Sequence, residues 1–129
     1  KIVVQGPEVF LTPPTMQSLG LIMHELATNA TKHGALSSPT GKVAIGWMHD
    51  PEGVRLNWQE RGGPPVGQPK RKGFGQVVFE RIGASLDGAI SVDFRPEGFV
   101  CDVTIAANNL ISPGRRAQNG LRRPSDTAH

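Results

Sequence analysis

Apolar residues in the first third of the chain recur at the spacing of one face of a helix. From residue 14 onward they stand mostly three or four positions apart, at Met16, Leu19, Met23, Leu26, Ala27 and Ala30. This spacing predicts an amphipathic helix with one buried stripe. The Thr12-Pro13-Pro14 segment is typical of a helix start, because proline needs no N–H group in the first turn. Gly34 is a natural helix end.

The rest of the chain contains runs in which apolar and polar residues alternate, as they do in half-buried strands. Residues 1–11 predict a short strand, a turn and a second extended piece. Residues 43–47 and 54–58 predict one hairpin, and residues 90–94 and 99–105 predict another.

Between the two hairpins lies a segment of different character. Residues 61–72 are rich in glycine and proline and predict a mobile loop. Residues 74–86 return to a helical spacing and predict a second helix that ends near Gly88. The order of strands, helix, hairpin, helix and hairpin predicts an α+β fold, built as a two-layer sandwich of helices on a mainly antiparallel sheet.

Length and charge indicate how this fold is organised along the chain. A chain of 129 residues suits a single domain. Residues 1–107 hold the predicted core, whereas residues 108–129 lack an apolar period and predict a basic, disordered tail. The first 107 residues carry ten basic and ten acidic side chains, so the net charge of +3 lies in the tail. A neutral core does not indicate nucleic-acid binding.

The sequence gives no sign of membrane insertion or export. No apolar run reaches the roughly 20 residues that cross a bilayer, and no signal-peptide pattern opens the chain. A cytoplasmic domain is therefore expected. Cys101 is the only cysteine, which excludes an internal disulfide, and its alternating apolar neighbours predict a small buried side chain.

Four polar residues share one side of the predicted first helix, opposite much of its buried stripe: Glu25, Asn29, Lys32 and His33. A carboxylate, an amide oxygen and an ammonium group in one row suit a metal-bound phosphate. Mg²⁺ prefers hard oxygen ligands, lysine neutralises phosphate charge, and the carboxylate can position or deprotonate a nucleophile. The same pattern also fits a solvated helix face with a polar pair four residues apart.

A second candidate is the acid near the end of the first hairpin. Alternation places Glu60 on the same side of the sheet as three apolar residues, Val54, Leu56 and Trp58. A buried carboxylate is unfavourable without a partner, and the amino group of a ligand would be one. Gly62 and Gly63 leave the adjacent backbone without side chains, so a flat ring can approach. The alternative is that the strand ends one residue earlier and Glu60 turns outward.

A third candidate is the start of the predicted second helix, Gly73-Phe74-Gly75, which follows the cations Lys70-Arg71-Lys72. Backbone N–H groups and the positive end of the helix dipole attract anions at such a start. A basic run in a loop can equally be solvated. The P-loop pattern GxxxxGK[ST] is absent.

The segment HELATNATKHGALS resembles the N box of the GHKL ATPase superfamily, which includes gyrase, heat-shock chaperones and histidine kinases. His24 in this box, together with Trp58 and Glu60 in the next, is similar to the HWE family of bacterial sensor histidine kinases. The resemblance covers residues 2–107. It implies the Bergerat ATP-binding fold, in which helices back a mixed sheet.

The resemblance implies a role for each matching residue of the first helix. Asn29 would bind Mg²⁺, and Glu25 would assist phosphoryl transfer. Lys32 would approach the phosphates. His24 would be diagnostic of the family. As a lone histidine it could accept phosphate, bind a metal ion or donate a structural hydrogen bond, and without a second histidine four residues on, the residues favour orienting Glu25 or a backbone group.

The second half of the implied site surrounds the base and the end of the nucleotide. Glu60 stands where most of the superfamily has aspartate and would accept a hydrogen bond from the adenine amino group, with Gly62 and Gly63 beside it. Residues 64–72 would form the ATP lid. Further ATP contacts would come from His33, Lys72, Gly73, Phe74 and Gly75.

As a histidine kinase domain, the chain would bind Mg-ATP and transfer the γ-phosphate to a histidine on a separate dimerisation and phosphoacceptor domain. The chain is expected to be the catalytic part of a longer, homodimeric sensor kinase that acts on a response regulator. One alternative is a nucleotide-binding regulatory module or a serine kinase of the anti-sigma-factor type. Another is an adaptor whose salt-sensitive binding depends on the basic tail.

Overall fold

The computed structural model describes residues 2–64 and 86–111, which contain one long helix and two sheets. The helix is α1 (Pro13–Lys32). The strands, in chain order, are β1 (Ile2–Gln5), β2 (Phe10–Leu11), β3 (Lys42–Asp50), β4 (Gly53–Arg61), β5 (Ile90–Arg95), β6 (Gly98–Ala106) and β7 (Leu110–Ile111). Two single 3-10 turns cover Ala35–Ser37 and Ala107–Asn109.

The main sheet has five strands in the order β1-β3-β4-β6-β5, and β2 pairs with β7 in a separate two-stranded sheet. β1 runs parallel to β3, while β3–β4, β4–β6 and β5–β6 are antiparallel. The parallel pair follows from α1, which crosses over between β1 and β3. Both predicted hairpins and the α+β class with a mixed, mainly antiparallel sheet are therefore confirmed.

α1 begins within the predicted start segment. Pro13 and Pro14 occupy its first positions, where their fixed φ suits a helix and no N–H group is required. The helix ends at Lys32, and the N–H groups of His33 and Gly34 close its last turn with hydrogen bonds of 2.8 and 3.1 Å. The predicted end at Gly34 is thus confirmed.

The buried face of α1 is rotated relative to the predicted stripe. It consists of Thr15, Ile22, Leu26, Asn29 and Ala30. Met16 is 58% exposed and Ala27 is also exposed, so the prediction was wrong at these two positions. A helical period tolerates a rotation of this size, because Leu26 and Ala30 fit either phase. As a consequence Asn29 lies in the core face, not opposite it.

The core fills the space between α1 and the inner face of the sheet. Its fully buried residues are Ile22, Leu26, Ala30, Leu86, Phe99, Cys101 and Val103. Phe94 packs edge-on against Phe99, with ring centroids 5.3 Å apart. Burial, with smaller contributions from Asp102 and Glu60, raises the pKa of the Cys101 thiol to about 12. The prediction of a small, buried side chain at Cys101 is confirmed.

The folded part of the chain extends beyond the predicted boundary at residue 107. Leu110 and Ile111, which the sequence assigned to the tail, form β7 and pair with β2. The N–H group of Thr12 also donates to the carbonyl of Asn109 (3.1 Å). Two apolar residues are too few to produce a period, which explains the error.

Several sequence predictions concern parts of the chain outside the described residues. These are most of the loop and of the second helix, and the disorder of residues 112–129. Within residues 2–64 and 86–111, no helix is both long and apolar enough to cross a membrane.

Two leucines of α1 allow the packing of the helix to be tested with the same substitution. Leu26 is fully buried, whereas Leu21 is 53% exposed. We expect Leu26→Ala to lower the free energy of unfolding by about 2–5 kcal/mol, because it leaves a cavity. Leu21→Ala should change it by less than about 1 kcal/mol. Urea unfolding of both variants checks this, and equal losses would contradict the assigned orientation of α1.

Candidate functional site

The carboxylate of Glu60 lies inside the protein and is held from two sides. β4 continues to Arg61, so its alternation is unbroken and Glu60 is only 3% exposed. Its Oε1 accepts a hydrogen bond from the N–H group of Ala35 (3.0 Å). Its Oε2 accepts one from Nε1 of Trp58 (2.9 Å). The inward orientation is confirmed, and the outward alternative is wrong.

Glycines allow the backbone to approach this carboxylate closely. A Cβ atom at Gly34 would overlap Oε1 of Glu60, and one at Gly98 would overlap the main-chain oxygen of the same residue. A Cβ atom at Gly63 would lie 2.7 Å from Cα of Ala35. Side chains at these three positions would therefore displace the acid or the turn that donates to it.

Gly62 has a different reason to be glycine. Its φ of +74° lies in the left-handed region, which residues with a side chain rarely adopt. Its carbonyl accepts a hydrogen bond from the hydroxyl of Thr40 (2.9 Å). The chain thus turns directly after Glu60 and returns toward the 3-10 turn that follows α1.

The second polar group of the site lies on α1. The side-chain Nδ2 of Asn29 donates to the carboxylate Oε2 of Glu25 (3.0 Å) and to its main-chain carbonyl (2.9 Å). Asn29 is 6% exposed and Glu25 is half-buried. The predicted pair four residues apart therefore exists, but it borders the core and is not a fully solvated face.

Both groups lie near the end of α1: Asn29 is in its last turn, and Glu60 contacts Ala35, just beyond it. A Cβ atom at Gly34 would overlap Oε1 of Glu60 and lie 3.1 Å from Cα of Ala30, so the backbone at the helix end packs closely against the acid. The carbonyl end of a helix carries partial negative charge, which disfavours a nearby carboxylate. The hydrogen bonds from Ala35 and Trp58 offset this cost.

The other predicted residues of α1 point to solvent. Lys32 lies in the last helical turn, where its charge suits the helix dipole, and His33 is the residue that follows. His24 is exposed, and within the described part of the chain no hydrogen bond links it to Glu25. Lys72, Gly73, Phe74 and Gly75 lie outside the described residues.

Sequence reasoning missed three contributors to the site. Ala35 acts through its backbone N–H group, which every residue but proline has, so no side-chain pattern could reveal it. Gly34 was identified only as a helix end, and Gly98 only falls between the two strands of the predicted second hairpin. The signal that could have found these contributors is a glycine directly after a helix end, followed by a small residue, where a strand opposite carries a buried acid.

Two further observations concern the described residues outside this site. No group of three histidine, cysteine, aspartate or glutamate residues there could hold a metal ion. An open groove of about 1180 Å³ lies at the opposite end of the sheet, between the β3–β4 turn and β6. It contains none of the predicted site residues.

The close packing at Gly34 can be tested against a second glycine. We expect Gly34→Ala to lower the free energy of unfolding by about 1–3 kcal/mol, because the new methyl group displaces Glu60. Gly20→Ala is the control, since a Cβ atom there meets nothing within 4 Å. It should stabilise α1 by about 0.5–1 kcal/mol. Thermal unfolding distinguishes them, and a Gly34→Ala protein as stable as the parent would refute the close approach.

No model of a known protein family matches the chain, but sequence comparison finds similar segments in histidine kinases. It is 42% identical over 108 residues to blue-light-activated histidine kinase 1 of Erythrobacter litoralis, covering 81% of this chain and 30% of that protein. It is 39% identical over 108 residues to a blue-light-activated histidine kinase of Brucella anthropi, covering 80% and 22%. The chain thus spans less than a third of the length of these relatives.

Solved structures share the fold. A blue-light-activated histidine kinase of Erythrobacter litoralis superposes with a TM-score of 0.69 at 21% identity, over 82% of this chain and 35% of that one. The catalytic domain of histidine kinase ThkA superposes with a TM-score of 0.63 at 18% identity, over 82% and 77%. ThkA has also been solved in complex with the response regulator protein TrrA. By sequence the chain is similar to a part of these histidine kinases, and by fold it matches the solved histidine kinase structures.

Proposed function

We propose that this domain binds Mg-ATP and donates the γ-phosphate to a histidine on a separate phosphoacceptor domain. The observation that carries the proposal is the buried Glu60 carboxylate beyond the end of α1, the helix whose C-terminal part holds the Glu25–Asn29 pair. Because the similar proteins are histidine kinases, we expect these two polar groups to bind a nucleotide. His24, Trp58 and Glu60 further support a place in the HWE group.

Glu60 would recognise the adenine. Each oxygen of a carboxylate can accept more than one hydrogen bond, so hydrogen bonds from Ala35 and Trp58 do not prevent Glu60 from accepting one from a ligand. The amino group of adenine is the matching donor. The turn at Gly62 and Gly63 would lie beside the ring.

Asn29 would hold Mg²⁺ through its amide oxygen. Both hydrogen bonds of its Nδ2 go to Glu25, which fixes the direction of the oxygen. Within residues 2–64 and 86–111, no group donates to that oxygen. Mg²⁺ commonly takes one or two protein ligands and fills its other positions with phosphate oxygens and water. The chemistry of this side chain therefore fits the ion.

Phosphoryl transfer would depend mainly on positioning and charge neutralisation. ATP, when bound, supplies the phosphoryl group. Glu25 would orient Asn29 and assist the incoming nucleophile, and Lys32 would approach the phosphates. The remaining contacts that we propose come from His33, Lys72, Gly73, Phe74 and Gly75.

The proposal also covers the full-length kinase of which such a domain would be a part. A phosphoacceptor histidine in the same or a partner chain would receive the phosphate, and a response regulator would take it in turn. The complex of ThkA with TrrA supports this type of partner. We propose a homodimeric, cytoplasmic kinase, because ATP is available in the cytoplasm and two chains allow transfer between them.

Nucleotide titration with and without Mg²⁺ tests the binding site. We expect the parent protein to bind ADP and ATP, with Mg²⁺ strengthening ATP binding. Asn29→Ala should lose that Mg²⁺ dependence, on the order of tenfold in affinity, while circular dichroism shows an intact fold. Asn57→Ala is the control, because Asn57 donates to Asp102 on the other face of the sheet. A parent protein that binds no nucleotide would refute the proposal.

Phosphotransfer tests the reaction. The domain is mixed with a separately produced histidine phosphoacceptor domain and ATP labelled in the γ position. We expect label on the acceptor that is lost in acid and retained in base, as phosphohistidine behaves. Acid-stable label on a serine would instead support the kinase of the anti-sigma-factor type.

A further inference from the structure

The proposed function assigns no role to Trp58, although this residue of the second box is diagnostic of the family. We propose that Trp58 is a positioning residue, whose indole N–H group holds the Glu60 carboxylate in the orientation that accepts the amino group of a 6-aminopurine. This inference rests on the proposed nucleotide binding and adds a determinant of base selection to it.

The geometry of β4 makes this contact possible. Trp58 and Glu60 are two residues apart, so both side chains lie on the inner face of the sheet. The distance from Nε1 of Trp58 to Oε2 of Glu60 is 2.9 Å. The indole is only 2% exposed and stands opposite Ile45 on β3 and Cys101 on β6. A ring packed in this way cannot turn its N–H group elsewhere without disturbing the core.

A glutamate needs such a restraint more than an aspartate does. Its side chain has one more rotatable bond, so its carboxylate can occupy more positions at a given backbone position. The N–H group of Ala35 fixes Oε1 and the indole fixes Oε2. With both oxygens restrained, the plane of the carboxylate is determined, and with it the directions of its lone pairs.

The identity of the two fixed partners also limits the ligand. An indole N–H and a backbone N–H can only donate, so the carboxylate that they hold presents only acceptor sites to a ligand. A base with an amino group at the facing position satisfies it. A base with a carbonyl there would bring two acceptors together, and one with hydrogen there would make no bond.

The second tryptophan provides a matched control. Trp47 lies on β3, and its Nε1 donates to the carbonyl of Pro7 at 2.6 Å. It has the same side chain and also makes an indole hydrogen bond, but not to Glu60. Trp47→Phe therefore removes an indole donor from the same sheet without touching the proposed base site.

The experiment compares the affinities of ADP and of purine riboside diphosphate, which has hydrogen in place of the amino group. We expect the parent protein and Trp47→Phe to prefer ADP by about tenfold, the effect of one hydrogen bond to a charged group. Trp58→Phe should reduce this preference to about twofold or less. If Trp58→Phe binds both nucleotides more weakly by the same factor and keeps the preference for ADP, the role of Trp58 is only structural and the inference is wrong. A parent protein that binds neither nucleotide refutes the proposed function instead.

A measurement on the unaltered indole covers the case in which Trp58→Phe does not fold. The two indole N–H signals of the ¹⁵N-labelled protein are assigned with Trp47→Phe. Saturating ADP should shift the Trp58 signal at least about twice as far as saturating purine riboside diphosphate does, because only ADP adds a donor to the shared carboxylate. Equal shifts with the two nucleotides would overturn the inference.

Discussion

The burial of one carboxylate determines how the site is built. Glu60 is removed from water at the carbonyl end of α1, where both desolvation and the helix dipole oppose a negative charge. Two N–H groups compensate, one from the backbone of Ala35 and one from the indole of Trp58. Ala35 must come within hydrogen-bond distance of an oxygen whose position is set by β4, and the indole of Trp58 must reach the other oxygen from within that strand. The helix end, the turn after it and the inner face of β4 therefore depend on one another.

This dependence explains why glycine is placed as it is. Gly34 and Gly98 stand where a methyl group would overlap atoms of Glu60, and Gly63 stands against the backbone of Ala35. Packing against a charged side chain leaves less room for adjustment than packing against an apolar one, because a shift of either oxygen also loses a hydrogen bond. The same glycines that leave space for the acid hold it in a narrow range of positions.

Much of this architecture was accessible from sequence, and the exceptions have physical causes. Strand alternation was decisive for Glu60, because the side-chain period of two is exact and Trp58 identified the inner face. The helical spacing was less decisive for α1. A period of 3.6 admitted two rotations of the buried face, and Asn29 was placed opposite the core. The pairing of Leu110 and Ile111 with β2 depends on a partner a hundred residues away. Ala35 acts through a backbone group that no residue type reveals.

The β2–β7 pair has a mechanical consequence for the polar end of α1. Main-chain pairing holds Thr12, the residue before the helix, through the carbonyl of Asn109. Asn29 lies in the last turn, about 25 Å further along the axis at 1.5 Å per residue. Any bending of the helix between these points moves the Asn29 amide relative to Glu60. Gly20, the exposed glycine in between, is the interior position of α1 with the weakest helical preference. The stiffness of the helix at Gly20 therefore sets how constant the separation of the two groups remains.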